Sequence, residues 1–406
     1  MKVVQINAIY GAKSTGVIMK DIHEMLLKDG QDSYVVAPLF AEETKNSYKI
    51  GNILDYKIHA LLTRITGKQA YYSCCSTRKL IKYLDEIQPD IIHFHNLHGN
   101  YINLNMLMKY IHRKNISLVI TMHDCWFFTG KCFHYVEEGC QKWQNGCFEC
   151  PRKRKDVPNW FLDHSKKVYS DKKKYIQQIE DVTIVGPSQW ICDEANKTFM
   201  KEKNICCIYN GVDKGVFKEG TQNYKKENRL ENKFIILGMA NKWLHPKNKT
   251  LVQTIIDNLK EDDLIILLGV EAKDVPFETS KIKTIPYIED RRKLADIYDS
   301  ADVFVNLTLA DTFPTVNMEA ICCGTPVVTH DVGGCIETIE EETGVLVSIG
   351  DTPGVLDAID KIREVSYDKC ASIGNEKFSK EANYQKYIQL YYQIEDGRKQ
   401  RKHEKN

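Results

Sequence analysis

Apolar and polar positions along this chain follow a pattern that switches repeatedly between a strand period and a helix period. Short apolar runs such as KVVQI, DSYVVA and SLVIT predict buried strands, because strands covered on both faces are apolar almost throughout. The stretch KSTGVIMKDIHEMLLKDG instead predicts a helix, with Ile18, Ile22 and Leu26 on one side and Gly30 at its end. This alternation predicts an α/β protein.

The alternation starts again in the second half of the chain. FIILGMA predicts a strand, NKWLHPKNKT a loop, and a helix follows. This restart favours a second doubly wound domain over one enlarged sheet.

The stretch from Asp302 to Glu337 predicts a strand, a loop, a helix and a second strand. DVFVNLT is the first strand, and the helix from Thr315 to Cys323 ends at Gly324 before the strand TPVVTHD. Ligands of such units bind beyond the carboxyl ends of the strands, which directs attention to the loop from Asp311 to Pro314.

The start of this helix is predicted to bind an anion. Thr312 is a candidate cap, and Pro314 suits a first-turn position that needs no N–H. The N–H groups of Thr315, Val316 and Asn317 would then favour a phosphate.

Carboxylates and a glycine turn accompany this helix start. Asp311 and Glu319 are expected to reach the hydroxyl groups of a sugar and of a ribose, respectively. The turn at Gly333 and Gly334 would let the backbone approach the same ligand closely.

This stretch resembles the nucleotide-binding region of retaining glycosyltransferases of family 4, which have the GT-B fold. Their signature is an acidic residue, seven residues, Glu, and then EA-x-x-x-GTPVV. Here it runs from Asp311 through Glu319 to GTPVV at 324–328. The family usually has Glu at the first position, so Asp311 shortens the reach to the sugar.

The resemblance implies two Rossmann-like doubly wound domains facing a cleft, with a C-terminal helix that crosses back to the first domain. The string NGVD at 210–213 marks the crossing between the halves in this family. We therefore expect an acceptor-side domain at 1–209 with a cysteine-rich insertion at 125–151, and a nucleotide-sugar domain at 210–374. The crossover helix is expected at 375–395 and a disordered basic tail at 396–406.

Histidines follow two of the predicted strands. His93, His95 and His98 are either metal ligands or residues lining a crevice, and the HxHN string also recurs at the active-site face of the resembled family. His123 follows the strand SLVITM, where the resemblance implies a role near the donor sugar and its departing phosphate; a structural histidine is the alternative. The string HDCWxxTGxC at 123–132 matches a subgroup used in capsular and exopolysaccharide (colanic-acid-type) assembly.

The resemblance also implies a set of donor contacts. Lys247 matches the lysine that clamps the donor diphosphate, and Lys242 is a candidate substitute for an arginine that is absent here, since Met239 follows Gly238. The alternative for both lysines is a solvated loop charge. The remaining candidate donor contacts are Gly16, in the loop Gly11–Gly16, and Phe313, Pro314, Thr315, Val316, Gly333 and Gly334.

Four cysteines follow the subgroup string at a spacing that suits a tetrahedral zinc site, namely Cys132, Cys140, Cys147 and Cys150. Three interpretations stay open: a structural zinc, free buried thiols, and a redox function. The chain has fourteen cysteines and begins without an export signal, which predicts a reducing cytoplasm.

Net charge and hydropathy limit the classes of partner that this chain is expected to bind. The net charge of +1 gives no signature of nucleic-acid binding, and no apolar run approaches the ~20 residues of a membrane span. The basic stretch at 152–155, with lysines at 166–167 and 172–174, is either a solvated face or a surface that adheres to an anionic inner membrane.

The expected activity is retaining transfer of a sugar from a nucleotide diphosphate, taken to be a UDP-sugar, to a hydroxyl of a glycan acceptor that is lipid-linked through polyprenyl diphosphate. No DxD triplet occurs, which fits a leaving-group site without metal, so no catalytic cofactor is expected. Two rivals are a sugar-nucleotide epimerase on the same fold and a glycan-assembly scaffold with an inactive donor site.

Overall fold

The computed structural model describes residues 1–277 and 280–405, with side chains described up to Arg401. The chain folds as two compact units: Met1–Tyr209 together with the chain from Asn383 onward, and Asn210–Ala382. Each unit holds a parallel sheet with helices around it, so the predicted class of two Rossmann-like α/β domains is confirmed.

The first unit is built on a sheet with seven described strands in the order β3-β2-β1-β4-β5-β6-β7, all parallel. The chain builds the sheet outward from β1 in both directions, so the topological switch point lies between β1 and β4. The strands are β1 (Lys2–Ile6), β2 (Asp32–Ala37), β3 (Ser47–Lys49), β4 (Ile91–Phe94), β5 (Ser117–Thr121), β6 (Val182–Gly186) and β7 (Asn204–Cys207). The helices of this half are α1 (Lys13–Lys28), α2 (Ile53–Thr66), α3 (Cys74–Ile87), α4 (Leu104–Lys114), α5 (Ser165–Gln178) and α6 (Gln189–Asn196).

The second unit has a parallel sheet with six described strands in the order β10-β9-β8-β11-β12-β13, and its switch point lies between β8 and β11. The loops that follow β8 and β11 therefore flank its ligand crevice. The strands are β8 (Phe234–Met239), β9 (Asp263–Leu268), β10 (Ile282–Ile285), β11 (Val303–Asn306), β12 (Val327–His330) and β13 (Gly344–Val347). The helices are α7 (Asn223–Glu227), α8 (Ala240–Trp243), α9 (Lys249–Asp257), α10 (Arg291–Asp299), α11 (Thr315–Cys322), α12 (Thr352–Glu364) and α13 (Cys370–Lys377).

The last helix, α14 (Lys380–Lys405), begins later and ends later than predicted. Its residues Tyr384, Tyr387 and Tyr391 pack with α1 and with β1 of the first unit. The prediction of a disordered tail from 396 is wrong for the described residues, because Arg398 and Arg401 form ion pairs with Asp90 and Asp181. Asn406, the last residue of that predicted tail, lies outside the described residues.

The extent of the loop before α1 and the start of α11 also differ from the predictions. Helix α1 begins at Lys13, so Gly16 lies in its first turn and not in the preceding loop. Helix α11 has Pro314 as its N-cap and no side-chain cap, so the predicted capping by Thr312 is wrong. The backbone N–H of Asn317 donates to the Pro314 carbonyl and is not available to an anion, whereas the first-turn N–H groups of Thr315 and Val316 have no acceptor within the helix.

Candidate active site

A chain of amide hydrogen bonds fixes the loop after β11 to the helix that follows it. The side-chain amide of Asn306 donates to Asn317 Oδ1 over 2.8 Å, and the amide of Asn317 donates to Thr338 Oγ1 over 3.0 Å. These buried residues lie at the end of β11, in the first turn of α11 and at the end of the short helix Gly333–Thr338. The three segments that carry the predicted donor contacts are therefore held together.

The glycine turn lies directly against Asp311. The N–H of Gly334 donates to the Asp311 carbonyl over 3.1 Å, and Gly333 has a φ of +59°. A Cβ atom at Gly333 would lie 2.1 Å from the same carbonyl oxygen, so the contact requires glycine. The Asp311 carboxylate accepts the N–H of Phe313 at 3.2 Å, whereas the Phe313 ring is buried and packs edge-on against Phe378.

Lys242 lies beside this loop. Its ammonium group donates to Thr308 Oγ1 over 3.0 Å, and Thr308 in turn donates to the carbonyl of Ala310. Burial raises the pKa of the Cys335 thiol, which follows the glycine turn; Asp311 adds to that rise and Lys242 opposes it. Lys242 thus joins the two loops that flank the switch point.

Lys247 is exposed and lies in the short helix Pro246–Asn248, where its backbone N–H donates to His245 Nδ1 over 3.3 Å. The structure therefore fixes the Lys242 ammonium group against the loop after β11. Sequence comparison with the family had favoured Lys247 over Lys242.

Glu319 has an unusual environment for a carboxylate. Its side chain is only 14% exposed, and burial raises its pKa to about 7. The guanidinium of Arg291, 3.6 Å away, opposes this rise and itself lies over the Phe217 ring. Arg291 was missed by the sequence analysis, since it is one of two arginines in a polar stretch and its contact is made across the fold.

The half-buried His123 belongs to a chain of polar side chains at the carboxyl ends of β1, β4 and β5, in which His95 and Gln5 are buried. His123 Nε2 and His95 Nδ1 are 2.9 Å apart, and His95 Nε2 lies 3.1 Å from Gln5 Oε1. Because Gln5 Oε1 can only accept, His95 donates to it through Nε2 and accepts from His123 Nε2–H. Burial lowers the pKa of His123 to about 4, so this imidazole is neutral near pH 7 and keeps Nδ1 as an acceptor.

The other two histidines have structural partners. His93 is fully buried between the Tyr391 hydroxyl of α14 and the Thr121 hydroxyl, at 2.7 and 2.8 Å. His98 pairs with Asp124 at 2.9 Å. In the described part of the chain no three His, Cys, Asp or Glu side chains are grouped as ligands of a metal ion, so the metal interpretation of these histidines gains no support.

Gly16 packs inside the first unit. A Cβ atom there would lie 3.0 Å from the Ile9 carbonyl oxygen, so this glycine lets α1 pass close to the loop after β1. Its predicted contact with the donor stays a prediction.

The four predicted zinc ligands lie around one pocket. Cys132, Cys140, Cys147 and Cys150 line a single pocket together with Trp143. The N–H of Gly130 donates to Cys147 Sγ over 3.1 Å. Four thiols around one pocket fit zinc chemically, although among residues 1–277 and 280–401 they are not drawn together to the spacing of ligands.

Part of the basic stretch that was predicted as a membrane surface is neutralised within the protein, whereas Arg154, Lys166, Lys173 and Lys174 are exposed. Arg152 is buried and binds Asp156 through two 2.8 Å hydrogen bonds, and Lys155 pairs with Glu138. Lys172 is buried too: its ammonium group donates to the Trp126 carbonyl, and burial lowers its pKa to about 7.

Two family models match consecutive parts of the chain. The model described as Glycosyltransferase Family 4 matches residues 15–215, and the model described as Glycosyl transferases group 1 matches residues 225–364. The chain belongs to the family 4 glycosyltransferases. Membership of this family and the GT-B fold were both predicted from the sequence, and both are confirmed.

Three relatives place this glycosyltransferase among known proteins. It is 23% identical over 363 residues to the putative colanic acid biosynthesis glycosyl transferase WcaC of Escherichia coli (strain K12), covering 86% of this chain and 87% of that protein. It is 26% identical over 162 residues to the N,N'-diacetylbacillosaminyl-diphospho-undecaprenol alpha-1,3-N-acetylgalactosaminyltransferase of Campylobacter jejuni subsp. jejuni serotype O:2, covering 36% of this chain and 43% of that protein. The solved structure of Anabaena HepE in complex with UDP has a TM-score of 0.66 at 14% identity over 97% of this chain and 100% of that one, which shows a shared fold.

Proposed function

We propose that this family 4 glycosyltransferase moves a sugar from a UDP-sugar to a hydroxyl of a glycan acceptor with retention of the anomeric configuration. The observation that carries the proposal is the cluster in the second unit of Lys242, Asp311, the Gly333-Gly334 turn and the start of α11. An ammonium group and free backbone N–H groups suit a diphosphate, and the adjacent carboxylates suit hydroxyl groups.

In this proposal each residue of the site has its own role. Lys242, Lys247 and the N–H groups of Thr315 and Val316 stabilise the charge that develops on the departing diphosphate, without a metal. Asp311 orients the donor sugar and Glu319 the ribose, and neutral His123 contacts the sugar. The acceptor oxygen bonds to the anomeric carbon as the bond between that carbon and the leaving phosphate oxygen breaks. The proton of the acceptor hydroxyl passes to the leaving phosphate.

The acceptor is proposed to be a growing surface polysaccharide linked to a polyprenyl diphosphate. The relative in E. coli is named for colanic acid biosynthesis, and the name of the C. jejuni relative includes a diphospho-undecaprenol acceptor. UDP as the donor nucleotide is supported by the family resemblance and by the UDP complex of a protein with the same fold. The protein would then act in the cytoplasm, at the inner face of the membrane.

The test is transfer from a panel of UDP-sugars to lipid-linked mono- and disaccharides, with the product anomer assigned by NMR. We expect an α-linked product from an α-linked donor, with turnover unchanged by EDTA. An inverted product would contradict retention, and loss of activity that added divalent metal restores would contradict metal independence. Conversion of the donor without any acceptor would instead support an epimerase, and nucleotide binding without transfer to any acceptor would support the scaffold.

We further propose that the four-thiol pocket binds one structural zinc. Protein purified without chelator should contain about one zinc per chain by elemental analysis, and Cys147→Ser should lose it. Cys207→Ser, at a half-buried cysteine on β7, is the control and should keep the metal. A metal-free, fully folded wild-type protein would contradict this proposal.

A further inference from the structure

Helix α2 has its apolar residues on the outside. Its inward positions His59 and Thr63 are buried, and His59 Nδ1 lies 2.8 Å from the Ser73 hydroxyl. Ile53, Leu54 and Ile58 are 69%, 64% and 49% exposed, and Leu61 is also exposed. A surface helix that packs only onto its own domain has the opposite arrangement, so this outward stripe needs another partner.

A second apolar segment continues this stripe. Trp160, Phe161 and Leu162 are all exposed, and they lie beside the C-terminal end of α2 in the fold. The Trp160 N–H donates to the Arg64 carbonyl over 2.6 Å, and a Cβ atom on Gly67 would lie 2.7 Å from the Leu162 carbonyl oxygen. We call the exposed apolar residues of α2 and of 160–162 together the α2 apolar face.

The charges around the α2 apolar face are mostly positive. Lys57 and Arg64 are exposed on α2 itself, and Lys166 is exposed just after the second segment. Asp55 on α2 is half-buried, and the exposed Asp163 carboxylate accepts the backbone N–H groups of Cys150 and Ser165. An exposed aromatic and aliphatic face with a cationic border is the combination that binds anionic lipid.

We propose that the α2 apolar face seats this glycosyltransferase on the surface of an anionic lipid bilayer, with α2 lying in the plane of the headgroups. None of the helices in the described part of the chain has the length and apolar character of a membrane span. The proposal rests on the proposed function to the extent that a lipid-linked acceptor gives such seating a purpose. It replaces the basic stretch at 152–155 as the membrane surface.

The experiment is flotation with vesicles of phosphatidylcholine alone and of an equimolar mixture with phosphatidylglycerol. Wild-type protein should float with the anionic vesicles. The double variant Ile58→Ser/Leu61→Ser should bind at least about tenfold more weakly, because two apolar side chains no longer enter the interface. Lys57→Gln/Arg64→Gln should lose about fivefold for each charge, and that loss should shrink at high salt.

Ile349→Ser, at an exposed apolar residue of the second unit, is the matched control and should float like the wild type. Wild-type protein that stays behind, or an Ile58→Ser/Leu61→Ser variant that floats equally well, would overturn the proposal. If the wild-type protein does not float and is a dimer, and Ile58→Ser/Leu61→Ser is a monomer, the α2 apolar face binds a second copy of the chain and the proposal is overturned. A UDP-dependent thermal shift on the same samples reports the donor site separately, so failure of seating is distinguishable from failure of the proposed activity.

Discussion

Replacing Glu319 with glutamine is expected to lower turnover at least about 100-fold while leaving the fold intact. A carboxylate that accepts hydrogen bonds from two ribose hydroxyls contributes about 1.5–3 kcal/mol for each bond, and a glutamine amide cannot replace both. Glu319→Ala should lose at least as much. The measurement is kcat/KM for sugar transfer, with circular dichroism to verify folding.

The same substitution should change how stability depends on pH. The pKa of Glu319 is about 7 in the folded protein and 4.5 for the ordinary side chain, because burial disfavours the ionised form. The raised pKa contributes about 3 kcal/mol to the free energy of unfolding. This contribution is fully present below pH 4.5 and is lost as the pH rises through 7. Glu319→Gln does not undergo this loss, so it should melt at a higher temperature than the wild type at pH 8, and the difference should narrow at pH 5.

Donor binding gives an independent test of the same carboxylate. Hydroxyl groups that donate to the ionised form should lower its pKa, so the affinity for UDP should rise between pH 6 and pH 8 in the wild type and stay flat in Glu319→Gln. Glu376→Gln removes an exposed helical carboxylate of the same unit and should behave like the wild type in all three measurements. Near-normal turnover of Glu319→Gln would remove Glu319 from the site.

Replacing Lys242 with methionine is expected to lower kcat/KM by about 100- to 1,000-fold, the usual effect of removing one group that stabilises a developing negative charge. Its ammonium group is already held at Thr308, so it meets the diphosphate without being ordered first. Lys247→Met should have a smaller effect, because Lys247 is exposed whereas Lys242 is half-buried, so solvent screens the Lys247 charge more strongly.

Thermal shift with UDP, GDP, ADP and dTDP measures the contribution of Lys242 to nucleotide binding. At about 100 times its dissociation constant, UDP should stabilise the wild type by about 2.7 kcal/mol, and Lys242→Met should lose most of this at the same concentration. Lys233→Met is the control, since Lys233 precedes β8 at the opposite end of the strand from Lys242. An unchanged UDP shift in Lys242→Met would leave Lys247 as the clamp.

The sequence determined the elements and the family. Apolar runs and helical periods depend on neighbouring residues, so they identified the strands around DVFVNLT and TPVVTHD and the helix between them. The motif from Asp311 to GTPVV is continuous in sequence and specific enough to identify the family. The predicted C-terminal end of the last helix was wrong, because Arg398 and Arg401 bind acidic residues that lie more than 200 positions earlier in the chain.

Only the tertiary structure decided which side chains meet. The parallel sheet order brings His95 to His123, places Gly333 against the Asp311 carbonyl and sets Arg291 beside Glu319. It also decided which face of α2 is exposed, since the apolar period of a helix is the same whether that face packs inward or outward. Local sequence carries the period of an element, whereas partners and exposure depend on contacts between residues far apart in the chain.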